Sequence, residues 1–128
     1  YCIFDTSPNF DVFEENIMTA TDETIAVVMP DIFSQDGLQI FTNNLQNFKK
    51  RKRVNNPVFK TFVFNAVNLS TKMAKDILVQ LSSSELNYVT VPQDQNFRKA
   101  QGVRETIQQF GAKNETILAF EKLASLVE

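Results

Sequence analysis

The sequence predicts an α/β domain built as a doubly wound, mostly parallel sheet, and three observations carry that prediction. Short apolar runs rich in β-branched and aromatic residues alternate with stretches of helical periodicity along the whole chain. Those runs are apolar at consecutive positions rather than at every second one, as expected of strands covered on both faces. No internal repeat or low-complexity linker interrupts the alternation, so 128 residues read as one domain or part of one, long enough to bury a core.

The first run is Tyr1-Cys2-Ile3-Phe4, which passes directly into Asp5-Thr6-Ser7-Pro8 and reads as a buried strand ending in a turn. Its lone cysteine, Cys2, is expected as a small core residue. The chain has no initiator Met and opens on this expected core strand, so it is expected to be a fragment. Phe10, Phe13, Ile17 and Met18 fall near helical spacing and predict a short helix around 12–20. Thr24 to Met29, closed by Pro30, is the second strand. Leu38, Phe41, Leu45 and Phe48 form one apolar stripe on a helix over 34–53, with Ser34 as N-cap and Asp36 favouring its positive end. That helix ends in Lys49-Lys50-Arg51-Lys52-Arg53 and is stopped by Asn55-Asn56-Pro57.

Val58–Asn65 follows as a strand. Ser70 is expected to cap a helix to about Ser83, with Met73, Ile77, Leu78 and Leu81 on its inner face. Asn87–Val91 is the next strand, ending at Pro92. Residues 94–110 read as a helix interrupted at Gly102 and ended by Gly111. A last helix from about Asn114 carries Ile117, Leu118, Phe120, Leu123, Ala124 and Val127. Asn68-Leu69-Ser70 and Asn114-Glu115-Thr116 match a glycosylation pattern but are read as helix starts.

Composition narrows the function. Apolar residues make up 43% and charged residues 22%, with no apolar run long enough to span a membrane. A net charge of −2 argues against a wholly basic nucleic-acid coat but leaves room for local basic patches. The chain has no His, and its one Cys cannot form an internal disulfide, so a His-based triad and a Cys/His zinc site are excluded. The twelve Phe follow the apolar faces of the expected elements and read as core rather than as a base-stacking platform.

Three segments, in order, carry a family resemblance. Ile3-Phe4-Asp5-Thr6-Ser7-Pro8 is similar to the apolar-Asp-Thr-Pro-Pro segment of ParA/Soj/MinD-type P-loop ATPases, with Ser7 in place of the first Pro. Val28-Met29-Pro30, with Ser34 and then Gly37-Leu38, resembles that family's strand-Pro turn and the Gly-Leu opening its next helix. Val91-Pro92-Gln93-Asp94-Gln95-Asn96-Phe97-Arg98-Lys99-Ala100 resembles its Pro, Asp-Gln, apolar, Ala stretch, trailed by Gly102 and Ile107 at a shorter Ala-to-Gly gap. The resemblance spans residues 1–128 but only the carboxyl-terminal half of a family member, starting at the Walker B strand. It implies a P-loop NTPase-like fold lacking the P-loop half, with a gap between strand 1–5 and strand 24–29 where the phosphate-loop strand would lie.

The resemblance also implies roles. Asp5 would bind Mg²⁺ through water, and Thr6, Ser7 and Pro8 would begin the second switch. Asn65 would read adenine through its amide, the alternative being a strand-end cap. Pro92 and Asp94 would pass the base, Asp94 having an equal reading as a helix N-cap. Lys49, Lys50, Arg51, Lys52 and Arg53, or the cluster of Arg98, Lys99 and Arg104, would meet DNA phosphates; a solvated helix end is the alternative for the run 49–53. No catalytic residue is expected within these residues.

The implied parent is a cytoplasmic, nucleoid-associated partition ATPase with ATP and Mg²⁺ as cofactors. It would dimerise on ATP, bind DNA without sequence preference and release it through a ParB-like partner, thereby segregating plasmids or chromosomes. A MinD-like cell-division ATPase is the first alternative, disfavoured by the want of a basic amphipathic tail after the last helix. A non-enzymatic α/β interaction module is the second. Mrp-like iron–sulfur carriers are excluded by the missing Cys-x-x-Cys. Without the phosphate loop the chain is expected to be inactive toward ATP, and its bare sheet edges are expected to promote self-association.

Overall fold

The computed structural model describes residues 1–7, 9–31, 34–82 and 85–127. The side chains of Ser34, Gln35, Leu81 and Ser82 are outside that description. The expected roles of Pro8 in the switch, of Ser34 as N-cap, of Leu81 in a core stripe and of Ser83 as a helix end therefore lie outside the described residues.

The elements are α1 (Val12–Thr19), β1 (Glu23–Val28), α2 (Ser34–Lys52), β2 (Val58–Val67), α3 (Lys72–Ser82), β3 (Asn87–Pro92), α4 (Asn96–Val103), α5 (Ile107–Phe110) and α6 (Asn114–Val127). Three strands form one sheet in the order β1-β2-β3, and both pairings are parallel. Helices flank both faces, so the α/β class is as the alternation predicts. The arrangement is that of part of a P-loop NTPase-like fold.

β2 is the central strand, and its Thr61-Phe62-Val63-Phe64 run is buried throughout. Successive strand residues point to opposite faces. Phe62 and Phe64, both 0% exposed, pack with Val67 against Ala74 and Ile77 of α3 and Leu38 of α2. Val63 faces the other way, meeting Val89 and Val91 of β3 and Ala119 of α6. A third cluster joins Met18 of α1 to Leu45 and Phe48 of α2. Its rim includes Phe10, Phe41 and Phe59, whose rings meet at 5.9 and 5.2 Å.

The expected strand over 1–5 does not form. Residues 1–7 adopt neither helix nor strand, and Ile3 is 91% exposed. A strand is stable only within a ladder, and among the described residues no strand pairs with this segment. Cys2 is correspondingly exposed and free, not a core residue.

Four smaller corrections concern helix faces and caps. Phe13 and Met73 are largely exposed, while Glu14 and Ala74 take the inward positions beside them. The inner face of α6 is Thr116, Ala119, Phe120, Leu123 and Leu126, with Leu118, Ala124 and Val127 exposed. Phe120 and Leu123 are inward as expected, and Ala119 and Leu126 complete the face that packs on Val63, Val89 and Val91. Thr71, not Ser70, caps α3, its hydroxyl accepting from the Ala74 N–H at 3.3 Å. Ser70 belongs instead to a turn closed on Asn68, whose Oδ1 accepts from the Ser70 N–H at 3.0 Å. The break in the 94–110 helix comes at Arg104 (φ 58°, ψ 36°), two residues after Gly102. Thr106 and Gln109 then form a capping box that starts α5. Gly111 ends α5 at φ 97°, as its position predicts.

Candidate functional site

Parallel sheets present their ligand crevice beyond the carboxyl ends of the strands, and a cavity of about 720 Å³ opens there, past β2 and β3. One wall is Val67-Asn68-Leu69-Ser70, where the chain leaves β2 for α3. The other is Pro92 to Asn96, where it leaves β3 for α4, and Lys99, Lys113 and Glu115 complete the lining. A bulge shapes the first wall: the β2–β3 register slips between Phe64 and Val67, with Ala66 at φ 54°. The ladder resumes beyond it, the Gln93 N–H donating to the Val67 carbonyl at 2.9 Å.

Asp94 holds the second wall. The residue is buried, 8% exposed. One carboxylate oxygen accepts the Asn96 N–H at 2.9 Å, just before α4. The other accepts the Lys113 N–H at 3.2 Å and the Thr116 hydroxyl at 3.1 Å, at the start of α6. Asn96 adds a bond from its amide to the Gly111 carbonyl at 3.0 Å. One carboxylate thus ties the amino ends of α4 and α6 together beside the crevice. The Asn96 N–H is the main reason its carboxyl stays below the usual range; burial opposes the shift, while the Lys113 N–H, the Thr116 hydroxyl and the Lys113 charge add to it. A carboxylate at helix amino ends also complements their dipoles.

The sequence-predicted residues divide around this crevice. Pro92 and Asp94 line it, as does Lys99, expected among the DNA contacts. Asn65 is half-buried at the bulge and does not line it. Asp5, Thr6 and Ser7 are exposed in the amino-terminal segment and do not line it. The Ser7 hydroxyl donates to the buried Glu14 carboxylate at 2.5 Å, tying that segment to α1. Arg98 and Arg104 are exposed, Arg98 on α4 and Arg104 in the left-handed residue after it. Among the described residues no group of three or more acidic or thiol side chains could hold a metal by itself.

The basic run 49–53 splits in two. Arg51 and Lys52 both reach Glu15 of α1, Lys52 at 3.6 Å. Lys49, Lys50 and Arg53 instead border a surface depression of about 570 Å³ with Gln46, Val54 and Asn55. Arg53 sits at φ 57°, and the Val54 N–H donates back to the Lys49 carbonyl at 3.1 Å, so the run doubles as the helix C-cap. The residues that sequence reasoning missed are Asn68, Ser70, Asn96 and Lys113. The Asx turn at Asn68 was signalled only by an Asn-x-Ser pattern, and Lys113 by nothing local.

Residues 1–61 match a family model described as an AAA domain, making that stretch similar to part of a P-loop ATPase-like domain. Uncharacterized protein BBD21 of Borreliella burgdorferi is 26% identical over 125 residues, covering 96% of this chain and 50% of that protein. Uncharacterized protein MJECL24 of Methanocaldococcus jannaschii is 28% identical over 132 aligned positions, covering 99% of this chain and 50% of that protein. The chain therefore spans about half the length of these curated relatives. No solved structure matches it. Among the described residues no helix is long and apolar enough to cross a membrane.

Proposed function

We propose that this chain is the base-binding, carboxyl-terminal part of a ParA-type partition ATPase, with the crevice beyond β2 and β3 receiving the adenine end of ATP. The observation that carries the reading is the crevice itself, at the carboxyl ends of two parallel strands and walled by Pro92 and the fixed carboxylate of Asp94. Backbone groups and the amides of Asn68, Gln93 and Asn96 supply the mixed donors and acceptors a base edge requires. Similarity of residues 1–61 to an AAA domain supports a nucleotide as the ligand class. Asn65, next to the bulge at Ala66, does not line the crevice and is not assigned to the base.

In the whole protein Asp5 would hold Mg²⁺ through water, with Thr6 to Pro8 as the switch that senses the γ-phosphate. Mg²⁺ there would neutralise charge developing on the phosphates. The parent would dimerise on ATP, bind DNA without sequence preference through its basic surfaces, and be released by a ParB-like partner at the nucleoid. Photolabelling with 2-azido-ATP tests the crevice. Label is expected in the tryptic peptide 76–98, which holds the Pro92–Asn96 wall. Label spread evenly over all peptides, or not displaced by excess ATP, would overturn the assignment.

A further inference from the structure

Two consecutive glutamates on α1 face two different places. Glu14 is buried and accepts the Ser7 hydroxyl of the segment that also carries Asp5 and Thr6. Glu15 is 17% exposed at its side chain and takes both Arg51 and Lys52 from the basic end of α2. Helix α1 is itself seated on α2 through Met18, Leu45 and Phe48. So the same short helix holds the Asp5–Ser7 segment on one side and pairs with two of five adjacent cations on the other, leaving their side chains 60% and 43% exposed.

We propose that Glu15 is an internal competitor for polyanions. While α1 is seated, its carboxylate competes for the exposed donors of Arg51 and Lys52, whereas Lys49, Lys50 and Arg53 meet a phosphate backbone without that competitor. Displacement of α1, to which the Asp5–Ser7 segment is tied through Glu14, frees the two paired cations from that competitor. The inference rests on the reading above that the basic run meets DNA, and it names how that contact would be graded. A carboxylate already bound to a guanidinium and an ammonium satisfies the same donors a phosphate would use, so DNA must displace it or wait for α1 to move.

The test is anisotropy of a labelled random-sequence duplex titrated with the whole protein in the presence of ATP, between roughly 0.05 and 0.2 M salt. The range is roughly that over which counterion release dominates. Glu15→Gln is expected to raise affinity and to steepen the slope of log K against log salt by up to about 1.8, two contacts at roughly 0.9 each. In an Arg51→Gln/Lys52→Gln background the same change should have no effect. Independently of any Glu15 variant, Arg51→Gln/Lys52→Gln alone should cost little, whereas Lys49→Gln/Lys50→Gln/Arg53→Gln should lower the slope by about 2.7. Binding by the parent chain with equal slopes for wild type and Glu15→Gln would overturn the competitor role and leave the DNA reading standing. A gain that persists without Arg51 and Lys52 would overturn it too, as a general charge effect. Equal losses from the two cation sets would do the same. No binding by any variant would overturn the DNA reading beneath it.

Discussion

Replacing Asp94 with Ala removes three hydrogen bonds that join the amino ends of α4 and α6. All three are accepted by an ionised carboxylate, and such bonds are worth about 1.5–3 kcal/mol each when the partner is buried. They share one side chain and are not additive. The Asn96 and Lys113 amides also border the crevice, where water can replace the lost acceptor. The Thr116 hydroxyl, fully buried, has no such recourse. The net loss is expected to be about 2–4 kcal/mol, a large share of the roughly 5–15 kcal/mol that holds a domain folded. Urea unfolding followed by circular dichroism measures it. Thr116→Val should cost less in the Asp94→Ala background than in wild type, because its partner is already gone. A loss under about 1 kcal/mol, or full additivity of the two changes, would refute the tie. The pH dependence has a definite sign. The folded carboxyl lies below its ordinary value of 3.8, so its contribution is complete above that pH and is lost as pH falls through the folded value. Asp94→Ala should therefore flatten the acid limb of the stability curve and leave the neutral region parallel to wild type.

Three further outcomes follow from the same structure. Phe62→Ala or Phe64→Ala, each emptying a fully buried ring site on β2, should destabilise by about 3–5 kcal/mol in the same assay. Arg104→Gly relieves a left-handed residue at φ 58° and should raise stability by about 1 kcal/mol; a lowered Tm would contradict the cap geometry. β1 lies at one side of the sheet, with Val27 64% exposed, so light scattering should show association that grows with concentration and falls in Val27→Lys.

The periodic signals in the sequence were strong where burial is strong. The run Val58–Asn65 becomes the doubly covered central strand, which extends two residues further to Val67, and the Leu45/Phe48 stripe seats α2. Residues 1–5 carry an equally apolar run, yet form no strand, because strand formation depends on a ladder partner that local composition does not report. On α6 the apolar residues are too many to define one stripe: Phe120 and Leu123 face the sheet, while Leu118, Ala124 and Val127 are exposed. Pro92 and Asp94 were placed by the resemblance of Val91–Ala100 to ParA/Soj/MinD-type ATPases, not by any local pattern, and both line the crevice. The division of residues 49–53 between Glu15 and open solvent was not legible, since it depends on where α1 lies.

The central claim is that the crevice past β2 and β3 takes an adenine base. An ¹H–¹⁵N titration of the chain with adenosine, then with uridine at equal concentration, tests it most directly. Weak, saturable shifts are expected at Asn68–Ser70 and Gln93–Asn96 with adenosine and smaller ones with uridine. Shifts confined to other surfaces, or identical for the two nucleosides, would contradict it.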